Sequence, residues 1–143
     1  MRSAPLARWM LGLLCLYALT LGALAAFAPR EFYDQYPFIG SYVRMIPPYN
    51  EHLVSDVGGL YLGFAVVLGW AAWQPERRLV LAVCSGFILT EVLHLVFHVT
   101  HLDGFSAGDA IGEVGGLAAL LLPPAVAIWA VKGDVTRERR SRS

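Results

Sequence analysis

Four long apolar stretches set the pattern of this chain. They run from Trp9 to Ala28, Glu51 to Trp73, Leu79 to about Leu102, and Gly108 to Val131. A helix rises 1.5 Å per residue, so about 20 such residues cross the ~30 Å hydrocarbon core of a bilayer. The pattern predicts an all-α protein, a four-transmembrane-helix bundle with spans at about 9–28, 51–73, 79–102 and 108–131. Residues 1–143 then read as one integral membrane domain, ending in a basic tail over 132–143.

The stretches between the spans refine this plan. Ala26-Phe27-Ala28 has the small-x-small form of a signal-peptide cleavage site, so the first span is either a retained helix or a cleaved leader. Its length favours the helix, and Ala18, Gly22 and Ala26 give that helix a small-residue ridge for close packing. Pro29 to Asn50 is a long connection rich in Tyr and Phe, side chains that favour membrane–water interfaces. Phe32, Tyr36, Ile39 and Val43 have helical spacing, which predicts an interfacial segment lying flat between helices 1 and 2, before Pro47-Pro48. Connections of this length usually have a task, either as a lid over a site or as an interfacial anchor. In the second span Gly59 and Gly63 form GxxxG on the face of His52 and Asp56, predicting that this face packs inward. Pro123-Pro124 predicts a kink in the fourth span, because the prolines remove backbone donors and clash with the preceding turn.

Composition agrees with a membrane protein. Hydrophobic residues make up 57% and charged residues 15%, too apolar for an ordinary soluble domain. The zero net charge excludes an electrostatic footprint for nucleic acid. The expected partners are the lipid bilayer and, through the small-residue ridges, a second copy in a homodimer or a larger membrane complex. Cys15 and Cys84 lie within apolar spans and read as small hydrophobes. Arg2, Arg8, Arg77, Arg78, Lys132, Arg137, Arg139, Arg140 and Arg142 occupy one side of this topology. The first connection has only Arg30 and Arg44, offset by Glu31 and Asp34, and the last connection has none. By the positive-inside rule both termini are cytoplasmic.

The candidate chemistry is concentrated between Thr90 and Gly116. At about 100° per residue, Glu91, His94, His98 and His101 share one face of the third span, within roughly 80°. Asp109 and Glu113 open the fourth span, while His52 and Asp56 open the second at i, i+4. The topology brings all of these to the outer half, with Glu91 near the midplane. A carboxylate there costs roughly 2.5–3.5 kcal/mol on insertion scales, so it needs a proton, a histidine or a cation. Imidazole plus carboxylate is a transition-metal ligand set. Glu91-Val92-Leu93-His94 has the Glu-x-x-His spacing of helical-bundle metal sites.

The sharp expectation is therefore a metal ion, zinc, iron or copper, held among His94, His98, Glu91, His52, Asp56, Glu113 and His101. Haem ligation lacks a supporting motif. The competing reading is a structural or accessory membrane subunit whose polar core only fixes helix packing. A third is a proton- or ion-linked sensor facing outward; a transmembrane relay is disfavoured because the inner halves of the spans carry no matching path. Asp103 reads as a turn residue, Asp109 as a helix-start residue and Glu51 as solvated. No HExxH, nucleophile elbow or phosphate loop is present, so enzymatic activity stays open without a named catalytic residue.

Asp56-Val57-Gly58-Gly59-Leu60-Tyr61-Leu62-Gly63, together with the four-span plan, resembles small bacterial DoxX-like membrane proteins. Leu93 to Asp103 is similar to a block in small actinobacterial membrane proteins of unassigned function. The resemblance implies a multi-pass protein of a bacterial inner (plasma) membrane. It implies no activity, because no site motif matches residue by residue.

Overall fold

A computed structural model describes the backbone of residues 4–37 and 42–140, with side chains from 5 to 133 in those ranges. Helix α1 runs Ala4–Phe27. Pro29 opens the short helix α2, Pro29–Gln35, where its fixed φ and missing N–H suit the first turn. A 3₁₀ turn at Tyr42–Met45 follows, and then α3, Glu51–Trp73. Asn50 caps α3 by accepting from the Leu53 amide at 3.1 Å. Helix α4 is Arg77–Thr100. Gly104, at φ +89°, makes the turn into α5, Ala107–Ala119, which Ser106 caps by accepting from the Asp109 amide. Helix α6 is Leu122–Arg140. No strand occurs among the described residues.

Among the described residues, four segments are long and apolar enough to cross a membrane: Pro5–Phe27, Glu51–Trp73, Arg77–Thr100 and Ala107–Gly133. The last contains the expected proline break. Helix α5 stops before Leu120, and Pro123 and Pro124 fall in the first turn of α6, where missing amides cost least.

Helix α1 is the centre of the bundle, packed on α3 along one side and on α6 along the other. Helix α4 lies on α6 and touches α3 and α5 to an equal, lesser extent. Leu11, Leu14, Ala18, Leu21 and Ala25 of α1 meet Leu68 and Ala71 of α3, Phe87 of α4 and Ala127 of α6 in the core. The ridge on α1 does what its small residues allow. Ala18 is fully buried, and a Cβ at Gly22 would stand 2.8 Å from the Leu62 amide nitrogen of α3. The matching glycine on α3 is Gly58, where a Cβ would run into the backbone of Ala25 and Ala26. Gly59 and Gly63 are exposed and open, so the GxxxG face does not pack inward. A one-residue step turns the helix face by about 100°, which moves the contact from Gly59 to Gly58. Trp9, Leu60, Val66, Trp70, Leu93 and Trp129 point outward, as lipid contact requires. Both cysteines are free, and Cys84 is fully buried.

Among the described residues, the connection between α1 and α3 packs onto the bundle. Phe32 and Tyr33 are buried, Phe32 stacks on Tyr36 with ring centroids 4.8 Å apart, and Tyr33 packs on Tyr49 at 5.0 Å. The Tyr33 hydroxyl reaches the Arg44 carbonyl at 3.5 Å, and Arg30 sits over the Tyr49 ring while pairing with Asp34 at 2.7 Å. Ile39, one of the four residues with helical spacing, lies outside the described residues.

Candidate functional site

Among the described residues, the buried charged side chains are Glu91 and Glu113. Each owes its position to helix phase. Glu91 falls on the α4 stripe of Val80, Cys84 and Phe87 that faces the core, and Glu113 lies on the inner face of α5. Glu91 is 0% exposed and accepts a hydrogen bond from the Tyr61 hydroxyl of α3 at 2.5 Å. Its other oxygen, Oε2, lies 3.7 Å from His94 Nδ1, one turn along α4. That is ion-pair range but too long for a hydrogen bond.

His94 and His98 stand one above the other at i, i+4, with ring centroids 4.6 Å apart at a steep angle. His98 Nδ1 lies 2.5 Å from Glu113 Oε1, bridging α4 to α5, but without the alignment of a hydrogen bond. A continuous line of polar groups thus runs Tyr61, Glu91, His94, His98, Glu113 across three helices. Among the described residues, Glu91 Oε2, Glu113 Oε2 and His98 Nδ1 have no hydrogen-bond partner. A buried polar atom left in that condition costs roughly 1–3 kcal/mol. Each imidazole turns Nδ1 toward a carboxylate, which leaves both Nε2 atoms for another partner.

Beside this line is a cavity of about 660 Å³. It lies between α1, α3, α4 and α5, and α3 and α5 make little direct contact across it. Leu21, Val54, Val57, Leu117 and Leu120 give it apolar walls, while Tyr61, His94, His98 and Glu113 supply polar groups. Tyr36, Pro37, Tyr42, Val43 and Ile46, from the connection after α1, also line it. Tyr42 is seated through Gly112: a Cβ there would stand 2.5 Å from the Tyr42 hydroxyl oxygen. These described residues of the connection therefore cover part of the cavity. Burial, and the Glu91 carboxylate near it, push the Tyr36 phenol above its ordinary range, so it stays a neutral donor.

Of the expected site residues, Glu91, His94, His98 and Glu113 come together. His52 and Asp56 do not: they pair with each other at 3.4 Å on the outside of α3, with side chains 87% and 60% exposed. An i, i+4 pair must share a face, but the core claims the Gly58–Tyr61–Ala65 face of α3 instead. His101 is also apart. It caps α4, stacks on Phe97 at 4.1 Å, and points Nδ1 at the Phe97 carbonyl at 2.8 Å. Asp109 and Ser106 join through a 2.6 Å hydrogen bond at the start of α5, and Asp103 is an exposed turn residue. Among the described residues no three His, Cys, Asp or Glu side chains are grouped as a metal ligand set. The contribution of α3 is Tyr61, which the sequence did not single out.

A family model described as a domain of unknown function, DUF4345, matches residues 6–93, well over half of the chain. The chain belongs to the DUF4345 family. No curated protein and no solved structure matches it. The DUF4345 match takes in Tyr17, Tyr61 and Glu91 and ends at Leu93, one residue before His94. The core acid and its tyrosine therefore fall within the matched region, while the His98–Glu113 contact lies beyond it.

Proposed function

We propose that this protein binds a small amphipathic molecule within the membrane. The apolar part would lie against Leu21, Val54, Val57 and Leu117, with the polar end against His98 and Glu113. The observation that carries this reading is the cavity itself. Its volume of about 660 Å³ falls within the usual range for small-molecule sites, and apolar walls with a few convergent polar groups are their common design. The gap between α3 and α5 offers lateral access from lipid, and Tyr36, Pro37, Tyr42, Val43 and Ile46 offer a cover. A bundle needing only to fix helix register would be served by the Tyr61–Glu91 contact alone.

The distribution of Arg and Lys supports an orientation with the cavity facing outward and both termini in the cytoplasm. A second reading has one specific observation behind it. With each Nδ1 held toward a carboxylate, as in metal sites whose histidines are oriented by acids, His94 and His98 could turn both Nε2 atoms to a zinc, iron or copper ion.

Native mass spectrometry of the purified full-length chain distinguishes these readings by the mass of what is retained. An organic adduct is expected on the native protein. Gly116 lines the cavity and has open space beyond its Cβ position, so Gly116→Phe should fill the cavity and remove the adduct. Gly59→Phe, placed in open space on the lipid side of α3, should retain it. A stoichiometric metal ion, lost in His94→Ala and His98→Ala, would favour the second reading. Equal adducts in both glycine variants would contradict the first.

A further inference from the structure

We infer that the molecule in this cavity carries an ammonium head, so that the site selects single-chain amines over fatty acids. The inference rests on the amphiphile-binding reading above and names the head group that reading leaves open. The polar wall carries one acid, Glu113, beside the Tyr17, Tyr36, Tyr42 and Tyr61 hydroxyls and the His94 and His98 imidazoles. Glu113 is 6% exposed, lines the cavity, and has no hydrogen-bond partner for Oε2 among the described residues. A carboxylate only accepts, and a neutral imidazole adds one acceptor for each donor. The Tyr61 hydroxyl already gives its proton to Glu91, so toward the cavity it too can only accept.

The wall offers an anionic head no positive charge, only neutral hydroxyls and imidazoles. No Lys or Arg occurs among the described residues that line the cavity. The start of α5, the nearest helix N-terminus, is occupied by the Ser106 cap and the Asp109 carboxylate. A carboxylate or phosphate head would instead face Glu113, with Glu91 one layer deeper. An ammonium offers three donors and no acceptor. Its donors match the Glu113 carboxylate and the His98 imidazole on the cavity wall, and it places a positive charge beside a buried acid. His94 and His98, on α4, are the groups whose protonation would oppose it; Glu91, on α4, and Glu113, on α5, favour it. Burying an ion pair can cost as much as it gains, so total affinity does not follow from the pairing. Selectivity does, because it is the difference between heads of opposite sign at one place.

The test uses the intact protein in lipid nanodiscs and three ligands with one twelve-carbon chain: dodecylamine, dodecanol and dodecanoate. Binding is read as the rise in unfolding temperature with ligand concentration. The amine is expected to bind at least about tenfold more tightly than the carboxylate, with the alcohol between, as a reversal of charge beside a buried acid implies. Glu113→Gln should collapse the amine-to-carboxylate ratio toward unity, and the native order tests the inference even where that variant fails to fold. Equal binding of all three, or preference for dodecanoate, overturns the head-group assignment while the binding reading stands. A ratio unchanged in a folded Glu113→Gln protein does the same. Binding of none of the three overturns both.

Discussion

Glu91 has one oxygen satisfied by Tyr61 and the other facing His94 beyond hydrogen-bond length. Removing the Tyr61 hydroxyl would leave the buried acid with no aligned donor. Tyr61→Phe should therefore lower stability by about 1–3 kcal/mol, the usual cost of an orphaned buried group. Pairing it with Glu91→Leu should recover much of that loss, because replacing both partners by apolar groups removes the unmet demand. Thermal unfolding of the single and double variants in one detergent checks both statements. At this scale the sequence showed four of the five polar groups in the line, Glu113 among them. Glu91, His94 and His98 stand out as ionisable groups in an apolar run, so their peculiarity is visible without a fold. Tyr61 does not, because one aromatic residue in an apolar span looks like ordinary core. His52 and Asp56 show why spacing alone misleads: it ties two residues to one face without saying which way that face points.

Among the elements, the α1–α3 crossing has the clearest sequence logic. Gly22 and Gly58 let the two backbones meet, while the neighbouring Gly59 and Gly63 face open space. Gly58→Ala should push the helices apart and cost about 1–3 kcal/mol, as overpacking does. Gly59→Ala should cost nothing and gain up to about 1 kcal/mol from helix propensity. The difference in unfolding temperature between these variants reads the register of the contact directly. The four long apolar helical segments were legible to within a few residues, the fourth together with its break, because length, apolarity and the two prolines act locally. The contact register was not, since adjacent glycines differ only in rotation about the helix axis. The fold of the connection after α1 was also hidden. Its aromatic residues signalled an interface, but the docking of Tyr42 on Gly112 depends on α5, some seventy residues later.

For the whole molecule, α1 holds α3 and α6 together while α3 and α4 stay loosely joined, and the cavity sits where closure is least complete. The proposed orientation makes a direct prediction for the connections. Asp103→Cys, in the α4–α5 turn, should react with a membrane-impermeant thiol reagent on intact cells. Gln74→Cys, in the α3–α4 turn, should react only after permeabilisation. Both positions are exposed, whereas Cys84 is fully buried and should remain silent. The reverse pattern would turn the cavity toward the cytoplasm.

Photo-crosslinking in a bilayer tests the central claim most directly. A single-chain amphiphile with a diazirine in its tail should label Val57 and Leu117, which line the cavity from α3 and α5, as well as outward residues such as Leu60 and Trp129. In Gly116→Phe the labels at Val57 and Leu117 should disappear while those at Leu60 and Trp129 persist. Labelling confined to the outward residues, or unchanged by Gly116→Phe, would contradict the account.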